Sequence, residues 1–367
     1  MARSSNLASK PANKPVSNPV SKPASNLTRG NPLPEAALPQ QLRSPHPVIF
    51  EVIDGGLETT VQDDVGRAGY LQLGIPRSGP MDRQSFQLGN QILGNPHTAA
   101  GLEIQFVGPK LRFCVDTLIA VTGANNRPKI NRNPVPMWQS LLVRPGDILS
   151  FGHAKVGARS YLQVAGGLDV PLVMGSRSTF IQAQLGGFQG RKLEQGDRLS
   201  ALPSALSDQQ LIHRHLSQPD LPRDLIPTFS HCWELDILLG PHDRWLTEAD
   251  IERVLSADWR ISPKSNRVGY RLEGPAFEFS ASAHHKAPEN GEHPSNKIDY
   301  GCPVGAVLFC GQTPTILMAD GPSLTGYMTP FTVVTASLWK VGQGRPGDRI
   351  IFRIVDLSQA LANAHSL

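Results

Sequence analysis

Between Val61 and Asn95 the chain reads VQDDVGRAGYLQLGIPRSGPMDRQSFQLGNQILGN, which gathers Gln62, Asp63, Asp64, Arg67, Arg77, Ser78, Asp82, Arg83 and Asn90 into one glycine-punctuated run. A hydrophobic core has no use for so many ionisable groups, whereas loops carried on a rigid scaffold are where binding and catalysis concentrate. Gly69, Gly74 and Gly79 let the backbone turn tightly or approach a ligand. Taken singly, each of these residues also has a structural reading. Asp82, for one, follows a Gly-Pro turn and suits a helix N-cap. As a cluster they point to a site.

Two later segments carry similar chemistry. In SPKSNRVGYRLEGP, Arg267 and Arg271 flank Gly269, with Ser265 and Asn266 as short hydrogen-bonding neighbours. On a strand, period two would set both guanidinium forks on one face, where they could hold a carboxylate. A solvated edge strand, or an ion pair with Glu273, is the alternative. In MADGPSLTGY, Asp320 stands at the end of the apolar strand TPTILMA and is followed by Ser323, Thr325 and Tyr327. A carboxylate there serves either as proton acceptor or as a turn former.

The elements that must position these residues are mostly strands. VIFEVI, LETTVQD, LEIQF, LRFCV, TLIAVTGA, SLLVRPGDILSF and RSYLQVAGGL have strand length and β-branched content, and many are separated by turn residues. Short strands so closely spaced argue for barrels or sandwiches rather than alternating βαβ units. Two helices are expected: one capped by Asp82 and stopped at Gly94-Asn95-Pro96, and one capped by Thr247 over TEADIERVLS. The polar, proline-marked stretch at 203–228 reads as a linker. The expected organisation is therefore an arm at 1–46, an N-terminal β-rich domain at 47–205, a linker at 206–230, a C-terminal β-barrel domain at 231–358 and a tail at 359–367. An internal echo links the two blocks: Val143-Arg-Pro-Gly-Asp-Ile-Leu resembles Gly344-Arg-Pro-Gly-Asp-Arg-Ile-Ile-Phe, and Glu194-Gln-Gly-Asp-Arg-Leu repeats the turn without proline.

Composition narrows the function classes. The chain has 367 residues, 40% hydrophobic and 18% charged, with 34 Gly and 32 Pro. It is too Gly/Pro-rich for a helical bundle and too apolar to be disordered throughout. The net charge of +4 belongs to the arm, whose six Lys/Arg face a single acid. The body is nearly neutral, which argues against nucleic acid as a partner. The arm SKPANKPVSNPVSKPASNL repeats a proline every fourth residue, so disorder or a tether is expected in preference to a transit peptide. No apolar run approaches the roughly 20 residues of a membrane span. Cys114, Cys232, Cys302 and Cys310 lack CxxC spacing, which favours reduced thiols and a cytoplasmic setting. No GxxxxGK[ST] phosphate cradle is present. His284, His285 and His293 lie in one loop without a defined further ligand, so no metal is expected.

Taken together, VQDDVGRAGYLQLGIPRSGPMD, LGNQILGNP, AGLEIQFVGP, LIAVTGA, GARSYLQVAGGLDVPLVMGSRSTF, LGGFQGRKLEQGD, GPHDRWLT, SNRVGYRLEGP, ILMAD and RPGDRIIF resemble one family. It is described as the biotin-dependent carboxyltransferase domain, allophanate hydrolase subunit 2 or the 5-oxoprolinase C component, and also as an antagonist of a sporulation-kinase inhibitor. The segments run in the family's order over about residues 48–355.

The resemblance implies a mostly β protein with a few short helices, built as two linked cyclophilin-like β-barrel domains. Of the activities it implies, the first is a subunit of an ATP-dependent 5-oxoprolinase-like amidohydrolase. This would work with two oxoprolinase-type partners, A-like and B-like, on a small amide, with ATP handled through the complex and no covalently bound cofactor. The alternatives are a carboxyltransferase component, receiving carboxybiotin on a partner and acting on urea or a related amide, and a non-catalytic regulatory subunit. Residue type and family motif together assign Asp82, Asp320 and Arg271 to catalysis, and Gln62, Asp63, Arg67, Ser78, Asn90, Ser265, Arg267 and Tyr327 to substrate binding. The Gln62–Asn90 run is expected to face Ser265–Arg271 and Asp320 across the domain junction, where ligand pockets are favoured. One departure bears on the substrate: relatives carry Asp-Arg-Gln-Thr-Thr-Gly-Gly-Tyr, whereas this chain has Asp320-Gly-Pro-Ser-Leu-Thr-Gly-Tyr327.

Overall fold

The computed structural model describes residues 44–217 and 221–364. The expected N-terminal arm lies outside these residues except for its last three, where Ser44 Oγ donates to Asp169 Oδ2 at 2.6 Å. The chain is predominantly β. Every strand anticipated between Val48 and Leu168 is present, because each is a short apolar or alternating run closed by turn residues.

The first half forms two antiparallel sheets. One runs Leu168–Asp169, Arg198–Ala201, Val48–Asp54, Lys110–Phe113, Ile148–Ser150, Lys129–Ile130 and Asn133–Pro134; the other runs Glu58–Gln62, Gly101–Gln105, Arg159–Val164, Thr117–Gly123 and Ser140–Val143. Phe50, Val52 and Leu111 from the first share a buried core with Val61, Leu102, Ile104 and Leu162 from the second. The second half closes into a seven-stranded barrel: Cys232–Leu239, Phe331–Val333, Ala306–Cys310, Thr313–Leu317, Gly269–Glu273, Trp259–Ile261 and Arg349–Ile354. All its neighbours are antiparallel except Cys232–Leu239 beside Arg349–Ile354, which pair in parallel. Trp233, Trp259, Phe309 and Phe331 fill its core. A separate ribbon pairs Asn296–Gly301 with Leu324–Tyr327.

The echo seen in the sequence is one turn built three times. In each copy the Asp side chain accepts from the backbone N–H three residues earlier: Asp147 from Arg144, Asp348 from Arg345 and Asp197 from Glu194, at 2.8, 3.0 and 2.7 Å. The Asp carbonyl then accepts from a neighbouring strand, at Phe113, Ile261 and Val52 respectively. The intervening Gly146, Gly347 and Gly196 have φ of 89°, 87° and 90°, which is why glycine stands there.

Six helices decorate the strands: α1 (Arg83–Leu93), α2 (Asp208–Ser217), α3 (Glu248–Ser256), α4 (Ala281–His284), α5 (Leu338–Gln343) and α6 (Leu357–Ala364). Asp82 caps α1 by accepting from Ser85 N–H, and Gly94 ends it in the left-handed region. Thr247 and Asp250 form a reciprocal capping box on α3. The stretch expected to be a plain linker instead contains α2. Leu211 packs on Ile92, Leu93 and Leu118, and Arg214 donates to the carbonyls of Gln91 and Ile92, where the C-terminus of α1 has spare acceptors. α6 likewise occupies most of the expected tail. No helix among the described residues is long and apolar enough to cross a membrane.

Candidate functional site at the junction of the two halves

A buried charge network joins the halves. Glu103 lies on Gly101–Gln105, a strand covered on both faces, and is 3% exposed. Its Oε1 accepts from Arg159 Nε at 3.3 Å and from Arg267 Nη1; its Oε2 accepts from Met81 N–H at 2.8 Å and Tyr161 Oη at 2.9 Å. Arg267 also grips Asp320, Nε to Oδ2 at 2.7 Å and Nη2 to Oδ1 at 3.1 Å, and gives Nη2 to Gly79 O at 2.8 Å. Arg159 donates Nη1 to Tyr270 Oη at 2.6 Å and to Gly342 O. Burial alone would raise the Glu103 carboxyl, but the Arg267 and Arg159 cations overcome it and hold it below the ordinary value. Two buried cations thus meet two buried carboxylates, each with several hydrogen bonds, which is the condition under which buried charges are tolerated.

Gln343 completes the seam. Its Oε1 accepts from Ala158 N–H and Arg159 N–H at 3.1 and 3.0 Å, and its Nε2 donates to Asp82 Oδ2 at 2.7 Å and Arg159 O at 2.9 Å.

Above this seam opens a cleft of about 420 Å³ with walls from both halves. Asp64, Val65, Gly66 and the Arg77–Met81 turn form one side, with Arg83, Gln84 and Gln87 from α1. Val304, Met318, Ala319, Thr335, Leu338 and Trp339 form the other. The lining is an apolar wall facing a polar one, the usual make-up of a small-molecule site. Arg83 is tied to Asp64 Oδ1 at 2.5 Å and Gln87 Nε2 to Asp64 Oδ2 at 2.6 Å.

The residues expected from sequence to form the site separate into groups. Ser78 lines the cleft. Arg267 and Asp320 lie beneath it, and Ser78 N–H donates to Ala319 O at 3.0 Å. Gln62 is fully buried and accepts from Gly79 N–H at 3.2 Å. Asp63 is buried among hydroxyls, accepting from Ser176 and Ser178 Oγ at 2.7 and 2.8 Å and from Arg177 N–H at 2.6 Å. Arg67 is also fully buried. Its Nη2 donates to Ser178 O, while Nε and Nη1 have no partner among the described residues. Burial pulls its guanidinium below the ordinary value, against the pull of Asp63 and Asp320.

Other residues take different places. Asp82 is sealed, with Oδ1 accepting from Ser85 N–H and Oδ2 from Ser85 Oγ and Gln343, so it works as a helix cap and seam contact, not as an open proton acceptor. Asn90 holds His97 O and Ala99 O behind α1. Arg271 does not share a face with Arg267: the strand starts only at Gly269, and the Arg271 side chain is exposed. Ser265 Oγ accepts from Arg271 N–H at 3.0 Å as part of a turn. Tyr327 lies on the ribbon, 38% exposed. In the loop that departs from the family pattern, Ser323 Oγ donates to Leu71 O at 2.7 Å. The sequence reading missed Glu103, Arg159 and Gln343. An acid between Leu102 and Ile104 in an otherwise apolar strand was the available signal for the first of these.

Residues 73–354 match the family model described as carboxyltransferase domain, subdomain A and B. The chain belongs to this family. Among its relatives, the urea amidolyase of Lachancea kluyveri is 40% identical over 310 residues, which is 83% of this chain and 17% of that protein. The C component of 5-oxoprolinase from Escherichia coli is 31% identical over 319 residues, 85% of this chain and 93% of the relative. The urea carboxylase structure from Kluyveromyces lactis superposes with a TM-score of 0.80 at 38% identity, covering 88% of this chain and 29% of that one. The chain therefore spans less than a fifth of the urea amidolyases that it matches.

Proposed function

We propose that this chain is the carboxyltransferase component of a multi-protein reaction, moving a carboxyl group from carboxybiotin on a separate carrier to the nitrogen of urea or a related small amide. The observation that carries this reading is the closer agreement with urea amidolyase, 40% against 31% for the 5-oxoprolinase C component, over a similar share of the chain, 83% and 85%. In that reaction the carboxyl carbon leaves the biotin ureido nitrogen and bonds to the amide nitrogen, whose proton passes to the biotin nitrogen. The cleft suits it. Met318, Leu338 and Trp339 offer an apolar wall to the stem of a carried group, and Ser78, Gln84 and Gln87 offer hydrogen bonds to its polar end. A cytoplasmic setting goes with this reading.

The second reading is a subunit of an ATP-dependent 5-oxoprolinase, favoured by the match to 93% of the C component. ATP would then be handled through A-like and B-like partners. The two readings separate in one experiment. The full chain is mixed either with a carboxylated biotin carrier, labelled in its carboxyl carbon, and urea, or with the two partner proteins, ATP and 5-oxoproline. Label on urea that requires the chain supports the first reading; glutamate that requires the chain, with no label on urea, supports the second and overturns the first.

A further inference from the structure

Ten described residues other than glycine have left-handed backbone, and Ser78, at φ 57°, is the one among them that lines the cleft. Serine in that region is strained, and such strain persists only where the surroundings over-determine it. Here they do so from four sides. Ser78 N–H is tied to Ala319 O at 3.0 Å, Gly79 N–H to Gln62 Oε1 at 3.2 Å, Gly79 O to Arg267 Nη2 at 2.8 Å and Met81 N–H to Glu103 Oε2 at 2.8 Å. Three of these four partners come from the buried frame under the cleft. The hydroxyl so placed has no hydrogen-bond partner among the described residues, although it is buried. Buried polar groups without a partner are rare and call for an explanation.

We infer that Ser78, whose hydroxyl is closed off and unpartnered in the free protein, turns it about the Cα–Cβ bond into the cleft as the direct hydrogen-bonding contact to the carbonyl or carboxylate oxygen of the small amide substrate, and that Gln62, Glu103 and Arg267 are positioning residues that hold its turn in the strained form. The hydroxyl is not a nucleophile in this scheme: no base among the described residues touches it, and its task is to orient the substrate oxygen. The inference rests on the carboxyltransferase reading for its substrate, but not for its strain.

Three variants test it. Ser78→Gly removes the strain and the hydroxyl together, and raises Tm by about 2 °C. Ser78→Ala keeps the strain, leaves Tm near wild type and lowers kcat/KM for carboxyl transfer to urea by roughly 10–100-fold. Glu103→Gln lowers kcat/KM in the wild-type background but adds nothing further in the Ser78→Ala background, as expected of a residue acting through Ser78. A Ser78→Gly variant that melts below wild type would overturn the strained turn, whatever the substrate. Full turnover by Ser78→Ala, or independent losses from Ser78 and Glu103, would overturn the contact. Should the wild-type chain move no carboxyl to urea, the carboxyltransferase reading falls by itself. The contact is then decided by calorimetry with 5-oxoproline, where it requires weaker binding to Ser78→Ala and is overturned by equal binding.

Discussion

Gln343 Nε2, carried on α5 in the second half, donates to Asp82 Oδ2 at 2.7 Å in the first half, and both residues are fully buried. The same amide also satisfies two backbone N–H groups and one carbonyl of the Ala158–Arg159 segment. One side chain therefore ties the cap of α1 to an inner strand and to the barrel. The cleft walls are held as one frame by this contact and by the Arg267 fork.

Truncating that amide strands several buried groups at once. Gln343→Ala is expected to cost about 3 kcal/mol, because unsatisfied buried donors and acceptors cost ~1–3 kcal/mol each and partly relax. The midpoint of urea unfolding measures it; an unchanged midpoint would show that the halves are not joined through this residue.

Asp82 gives the fold a pH signature. Burial pushes its carboxyl up to about 6 from 3.8, against the hydrogen bonds from Ser85 and Gln343. The folded state therefore holds a proton that the unfolded chain has released between those values. Its contribution is full below pH 3.8 and is lost as pH rises through about 6. The loss is on the order of 2–3 kcal/mol. Asp82→Asn keeps a capping residue but cannot titrate. The stability of wild type relative to this variant should fall between about pH 4 and pH 7, and a constant difference across that range would contradict the assignment.

The two arginines of the SNRVGYRLEGP segment should behave differently. Arg267→Lys loses the bidentate hold on Asp320 and the reach to Glu103 and Gly79. A destabilisation of roughly 3 kcal/mol is expected for breaking a buried ion pair. Arg271, exposed on the same segment, should tolerate Lys within about 0.5 kcal/mol. Thermal unfolding of the two variants side by side decides this; equal losses would place Arg271 in the frame.

Much of this fold was legible because its signals are local. The caps Asp82 and Thr247, the stop at Gly94 and the Gly-Asp turns each declare themselves within a few residues, and the structure repeats the turn chemistry at Asp147, Asp197 and Asp348. α2 was hidden because prolines flank it, while the contact that fixes it, Leu211 on the end of α1, is long-range. In the site, the Val61–Asn95 run stood out by its density of charge, and part of it does line the cleft. Glu103 and Gln343 did not stand out. Each sits in a short segment with no motif around it, and its importance comes from partners on distant segments. The face expected to be shared by Arg267 and Arg271 does not form, because a two-residue period was carried back past the start of the strand at Gly269.

In the proposed reaction the substrate reacts in the junction cleft, and blocking the cleft tests that most directly. Val304 lines it and is 40% exposed, so Val304→Trp should fill the cleft without disturbing either core. Carboxyl transfer from the labelled carrier to urea is the measurement, with Tm recorded on the same preparation. The expected result is a fall in kcat/KM of at least about tenfold with Tm unchanged. Full transfer by a folded Val304→Trp protein would contradict it.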